Sequence, residues 1–178
     1  MALSPTVRPA AVAGAFYPGD PRQLAGELDE LLDGVENLEP KFGFPKALIV
    51  PHAGYIYSGP VAARAYDELA AARGIVKRVV LLGPVHRVPV RGLALPLSGA
   101  FETPLGCVPV DAEAVRSLAG LKQVVASEPA HAQEHSLEVQ LPFLQKMLGE
   151  FALVPFAVGS ASAEEVAQVI ERLWGGPE

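Results

Sequence analysis

The chain contains one cysteine, Cys107, so an internal disulfide cannot form and a reducing compartment is the natural fit. It also lacks any apolar run approaching the ~20 residues that span a bilayer. Its opening, Met1-Ala2-Leu3-Ser4-Pro5-Thr6-Val7-Arg8, has no basic segment leading into a long apolar one. These absences predict a cytoplasmic protein with no membrane contact. Basic residues are few and scattered, 14 against 20 acidic ones, for a net charge of −6. Nucleic acid is therefore not an expected partner, because phosphate neutralisation needs a basic stripe. There is no phosphate-binding glycine loop, dinucleotide fingerprint, serine nucleophile elbow or zinc-ribbon cysteine set, so no nucleotide cofactor is expected. A cysteine triad for an iron–sulfur cluster is missing as well.

What the chain does have is two apolar runs that each stop at a histidine. One is Ala47-Leu48-Ile49-Val50-Pro51-His52-Ala53-Gly54-Tyr55 and the other is Val79-Val80-Leu81-Leu82-Gly83-Pro84-Val85-His86. Short apolar runs bounded by Pro and Gly, with a helix-like segment between them, predict neighbouring parallel strands buried on both faces. Loops following such strands gather at the carboxyl edge of the sheet, where open α/β folds bind ligands. The spacing thus brings two imidazoles to one edge, a candidate metal or acid/base site.

At 178 residues the chain suits a single domain, residues 1–178, with a substantial core. The proline-rich stretch from Arg8 to Asp20 reads as an extended arm lying on that domain. Asp20-Pro21 is a helix start, followed by Leu24, Leu28, Leu31 and Leu32 at helical spacing. Lys46 to Pro51 is the first predicted strand, a helix begins at Pro60, and Arg78 to Gly83 is the second strand, completing a βαβ unit. Proline-broken strands between Gly92 and Asp111 predict an edge hairpin. Asp111 caps a short helix, Gln123 to Ala126 is a strand, and Glu134 to Leu144 is a helix kinked by Pro142. Phe151 to Gly159 is the last strand, and Ser162 opens the last helix with a capping-box pattern.

Imidazole suits iron, copper, zinc or nickel, which makes His52 and His86 the leading metal-ligand candidates. Two histidines need a further ligand, and Glu134, His135, Asp111 and Cys107 are the candidates. Cys107 lies in an apolar strand pattern that favours buried packing. Gly54 permits close backbone approach to a ligand. Tyr55 and Tyr57 flank the first histidine, where their hydroxyls could donate to a bound anion or their rings could pack the loop. His131 sits in a polar stretch and receives no role.

Five segments in order resemble the Memo family, also called the AmmeMemoRadiSam system B proteins. They are Arg8 to Pro18, Val50 to Gly59, Leu82 to His86, Phe101 to Gly106 and Glu134 to Pro142. The resemblance implies the fold of the class III extradiol dioxygenases: α/β, three-layer, a mostly parallel sheet with helices on both faces and a pocket at one edge. It implies His52 and His86 as metal ligands and iron or copper as the ion, with redox chemistry. Tyr55 and Gly54 are expected at the pocket, and Glu134 and His135 near it, His135 as a candidate acid/base. Related dioxygenases hold ferrous iron with two histidines and a carboxylate. Family members run on well past the length of this chain, so the family's C-terminal part, with its cysteine ligand, is expected to be lacking; Arg87 stands where many relatives have a second histidine. The uncovered strand edge then predicts a homo-oligomer. The family's composite name implies a radical-SAM partner protein, and the pocket implies a small-molecule or peptide ligand. The alternative to an oxidoreductase is a non-catalytic binding or scaffold module using the same pocket.

Overall fold

The computed structural model describes residues 2–35 and 43–175. After the strand β1 (Ser4–Arg8), the Asp20 carboxylate accepts from the backbone N–H groups of Arg22 and Gln23, and Pro21 occupies the first turn of α1 (Pro21–Asp33). The remaining elements are α2 (Tyr55–Asp67), β2 (Arg78–Pro84), β3 (Leu93–Leu95), β4 (Ser98–Thr103), β5 (Gly106–Pro109) and α3 (Ala112–Ser117). They continue with β6 (Val124–Ala126), α4 (Glu128–Ala132), α5 (Leu141–Leu148), β7 (Ala152–Val158) and α6 (Ala163–Leu173). The capping box expected at Ser162 is present: Ser162 and Glu165 each accept from the other's backbone N–H.

The strands form two open sheets of mixed direction, where one mostly parallel sheet was expected. One has the order β1-β4-β5 and contains the expected antiparallel hairpin; the other runs β2-β7-β3-β6. β2 and β7 pair in parallel through seven positions, from Arg78 with Ala152 to Pro84 with Val158, and β3 turns the sheet antiparallel at β7. The sheets are stitched where Asp111 donates its N–H to the Leu153 carbonyl at 2.8 Å. β7 is the central strand, with Leu153, Val154, Phe156 and Ala157 all fully buried. Helices α1, α2 and α5 pack on one another, and the rings of Tyr66 and Phe143 stack at 5.1 Å.

Four local expectations need correction. Lys46 to Pro51 is not a strand; it pairs with none of the described strands, and Ile49 is fully exposed. The βαβ unit therefore lacks its first strand. The helix expected to begin at Pro60 begins at Tyr55, capped by Gly54, and carries Pro60 in its interior. The helix expected over Glu134 to Leu144 is a series of turns, then a 3-10 turn at Glu138–Gln140, then α5; Pro142 stands in the first turn of α5, where its missing N–H has no helical partner to lose. Cys107 is exposed on β5, its strand's outward position outweighing its apolar neighbours.

Candidate metal centre

β2 ends at Gly83-Pro84 and hands the chain to His86, whereas His52 lies three residues before α2. The peptide ahead of His52 is held from the core: the Gln140 side chain donates to the Pro51 carbonyl at 3.0 Å and accepts from the Tyr66 hydroxyl at 2.8 Å. Ser58 closes the other side of this loop by donating to the Ala53 carbonyl at 2.9 Å. The turn bearing Glu134 and His135 sits directly on β2. A Cβ on Gly83 would stand 2.5 Å from the Ser136 hydroxyl and 2.9 Å from a Leu137 methyl, so only glycine admits this approach. Ser136 fastens the contact by donating to the Pro84 carbonyl at 2.9 Å.

Three imidazoles converge as a result. Ring centroids lie 5.3 Å apart for His52 and His86, 4.4 Å for His86 and His135, and 5.8 Å for His52 and His135. One nitrogen from each ring falls within 4.8 Å of the others. Two nitrogens bound to one ion at ~2.1 Å are at most ~4.2 Å apart, so small rotations close the set around a single ion. Beside it, Phe16, Gly54, Ile56 and Tyr57 help line an open, largely apolar cavity of about 580 Å³ that includes His52 and His135.

Glu134 organises the rings. Its buried carboxylate accepts from the His86 backbone N–H at 2.6 Å, from His86 Nδ1 at 2.8 Å and from the Ser136 N–H at 2.9 Å, with His135 Nδ1 at 3.4 Å. Burial alone would raise the Glu134 pKa, but the donors from Ser136 and His86 outweigh it and hold the carboxyl below its ordinary value. An ionised carboxylate only accepts, so the His86 nitrogen facing it, Nδ1, carries a proton, and Nε2 is the nitrogen left for an ion. His135 is pushed below the usual histidine range, first by burial and then by His86, His52 and Arg87, against the opposing pull of Glu134. It is the neutral, ligand-competent form at neutral pH.

Of the sequence candidates, His52, His86, His135 and Glu134 come together, and Gly54 lines the cavity. Tyr55 points elsewhere: it is buried, donating its hydroxyl to the Val139 carbonyl at 2.9 Å. Tyr57 takes the position on the cavity wall. Asp111 caps α3 and pairs with Arg78 at 2.6 Å, so the pair and the cap occupy its carboxylate. His131 is fully buried in α4, where its Nε2–H donates to the Ala94 carbonyl at 2.9 Å.

Sequence reasoning missed the support beneath the site. Glu138 is fully buried, accepts from the N–H groups of Ala11 and Val12 at 2.8 and 2.9 Å and from the Tyr17 hydroxyl at 2.6 Å, and pairs with Arg8. Arg8 in turn donates to the carbonyls of His131 at 3.0 Å and Glu134 at 2.7 Å. The available signal was a carboxylate flanked directly by Leu137 and Val139, and an arginine opening the arm.

The family profile described as Memo-like protein matches residues 8–174. A MEMO1 family protein of Aquifex aeolicus is 45% identical over 175 residues, covering 95% of this chain and 61% of the relative. A second, from Methanothermobacter thermautotrophicus, is 39% identical over 169 residues, covering 92% and 61%. A third, from Ignicoccus hospitalis, is 42% identical over 167 residues, covering 85% and 56%. The chain thus spans about three-fifths of the length of the curated relatives it matches.

Proposed function

The chain belongs to the Memo family, and from that premise we infer that it is a metal-binding, redox-related protein that holds iron or copper at His52, His86 and His135. The observation that carries this reading is the convergence of three imidazoles within 4.8 Å, one of them held in a defined tautomer by a buried carboxylate. Neutral imidazoles suit both ions, and a carboxylate behind a ligating histidine is the usual support of such sites. When bound, iron or copper would supply one-electron chemistry to a small molecule in the adjoining cavity. The chain's own residues would do the rest. Glu134 fixes the His86 ring and holds its Nδ1, leaving the other ring nitrogen for an ion. Gln140 and Ser58 fix the His52 backbone. Phe16, Ile56 and Tyr57 offer an apolar surface to the ligand. His135, the third donor in this reading, also has the geometry and depressed pKa of a proton acceptor when it is not ligating.

A second reading is favoured by the cavity wall: Ile56 and Tyr57 are 84% and 82% exposed, an apolar lip suited to holding a peptide or small molecule without turnover. Cobalt(II) substitution separates the two. Visible ligand-field bands that appear at one equivalent and vanish in His52→Ala support the metal-binding reading. Bands absent from the wild-type chain would leave the pocket as a recognition cleft.

A further inference from the structure

Four tyrosines occur in the chain, and three of them are buried together. The rings of Tyr17 and Tyr55 lie 5.6 Å apart, and Phe143 bridges Tyr55 to Tyr66 with centroids at 5.0 and 5.1 Å. Their hydroxyls donate to three consecutive residues of one 3-10 turn: Tyr17 to the Glu138 carboxylate at 2.6 Å, Tyr55 to the Val139 carbonyl at 2.9 Å and Tyr66 to the Gln140 side-chain oxygen at 2.8 Å. Packing would be served equally by three neutral acceptors. Of the three, only Tyr17 faces a base, across the short distance of a charge-assisted bond.

That difference decides which ring can give up an electron. A phenol that loses an electron becomes a strong acid, so the electron leaves readily only when the proton has somewhere to go. A carboxylate takes that proton; a carbonyl or amide oxygen accepts a hydrogen bond but is too weak a base to keep it. Burial, followed by Glu138 itself, pushes Tyr17 far above the usual tyrosine range, so the phenol holds its proton until the electron goes. Arg8 completes the arrangement. With Glu138 protonated, the positive charge left by the departing electron rests on Arg8, which keeps its bonds to the carbonyls of His131 and Glu134. Tyr17 also adjoins the histidines, because its peptide neighbour Phe16 packs on the His135 ring at 4.8 Å.

We propose that Tyr17 is a redox-active side chain that delivers one electron to the three-histidine centre by way of Phe16 while its proton passes to Glu138. The O–H bond of Tyr17 breaks, a neutral tyrosyl radical remains and Glu138 becomes a carboxylic acid. The oxidant, a transition-metal ion at the centre raised above its resting valence, is reduced by one electron. Tyr17 thereby stores one oxidising equivalent beside the ion, which lets a one-electron metal serve a two-electron oxidation. For its oxidant the assignment rests on the redox reading of the centre; the tyrosine and carboxylate pair does not.

The test puts a synthetic oxidant in the ion's place. Three of the four histidines form the centre and the fourth, His131, is fully buried, so a rhenium(I) tricarbonyl diimine that coordinates one imidazole is anchored there. Flash excitation with hexaammineruthenium(III) as quencher converts the label to rhenium(II), a strong one-electron oxidant. The chain carries Tyr57→Phe and Trp174→Phe, because both side chains are exposed and would compete. The expected result is a transient tyrosyl signal in absorption and electron paramagnetic resonance. It is lost in Tyr17→Phe and retained in Tyr55→Phe and Tyr66→Phe, each variant being folded by circular dichroism. A carboxylic acid infrared band rises with the radical, which reads Glu138 without breaking its ion pair with Arg8. Absence of a tyrosyl signal overturns the proposal, as does a radical that survives Tyr17→Phe or one that forms with no carboxylic acid band. Because the label replaces the ion, failure of the chain to bind iron or copper removes the metal reading and leaves a tyrosyl signal here standing.

Discussion

The Glu134 carboxylate holds His86 at two points, accepting from its backbone N–H at 2.6 Å and from its ring Nδ1 at 2.8 Å. One side chain therefore sets both where the histidine sits and which nitrogen it offers. Glu134→Gln keeps the size but leaves one oxygen for donors that used two, and turns an NH2 toward them. Metal affinity is expected to fall roughly 10- to 100-fold while His86 remains in place. Isothermal calorimetry of the variant against the parent chain measures this directly.

Glu138→Ala strands the buried Arg8 guanidinium and three donors from the arm. Breaking one side of a buried ion pair costs about 3–5 kcal/mol, so urea unfolding should show a loss of that order. Because Arg8 also holds the Glu134 carbonyl at 2.7 Å, metal affinity should weaken with it. An unchanged denaturation midpoint would contradict the role given to this pair.

Gly83→Ala places a methyl where the Ser136 hydroxyl already stands. Overpacking of this kind costs about 1–3 kcal/mol, and here the displaced element is the turn carrying Glu134 and His135. Thermal unfolding and metal titration of this variant should both shift; a stability loss with unaltered metal affinity would show that the turn relaxes without moving the rings.

Burial holds His131 down to about 4, outweighing the Ala94 carbonyl and the neighbouring carboxylates. Between its ordinary value of ~6.5 and about 4 the unfolded chain binds a proton that the folded chain refuses. Stability is therefore full above pH ~6.5 and falls as pH drops toward 4, by up to about 3 kcal/mol from this group. The depressed His135 contributes in the same direction. His131→Gln, which retains a donor for the Ala94 carbonyl, should flatten the slope of unfolding free energy against pH in that window. An unchanged slope would assign it elsewhere.

Local chemistry made several elements legible before any coordinates. Asp20-Pro21 and Ser162 with Glu165 announce helix starts through side-chain caps, and β7 follows from its unbroken apolar run. Where the sequence misled, a distant partner decided. Lys46 to Pro51 has the composition of a strand but pairs with none of the described strands. Pro142 reads as a kink only if the helix is assumed to start at Glu134. The two apolar runs ending in histidine located His52 and His86 correctly relative to one another, although the first run is not a strand. His135 joined them through a turn whose approach depends on Gly83, and Glu138 found its four partners across more than a hundred residues of chain. Neither relationship has a local periodicity to betray it.

The central claim is a single three-imidazole metal centre, and anaerobic calorimetric titration with ferrous iron and with cuprous copper tests it most directly. The account predicts one ion per chain for at least one of the two metals, with binding abolished in His86→Ala and weakened in His135→Ala. Absence of binding to the parent chain, or binding that survives both substitutions, would contradict it.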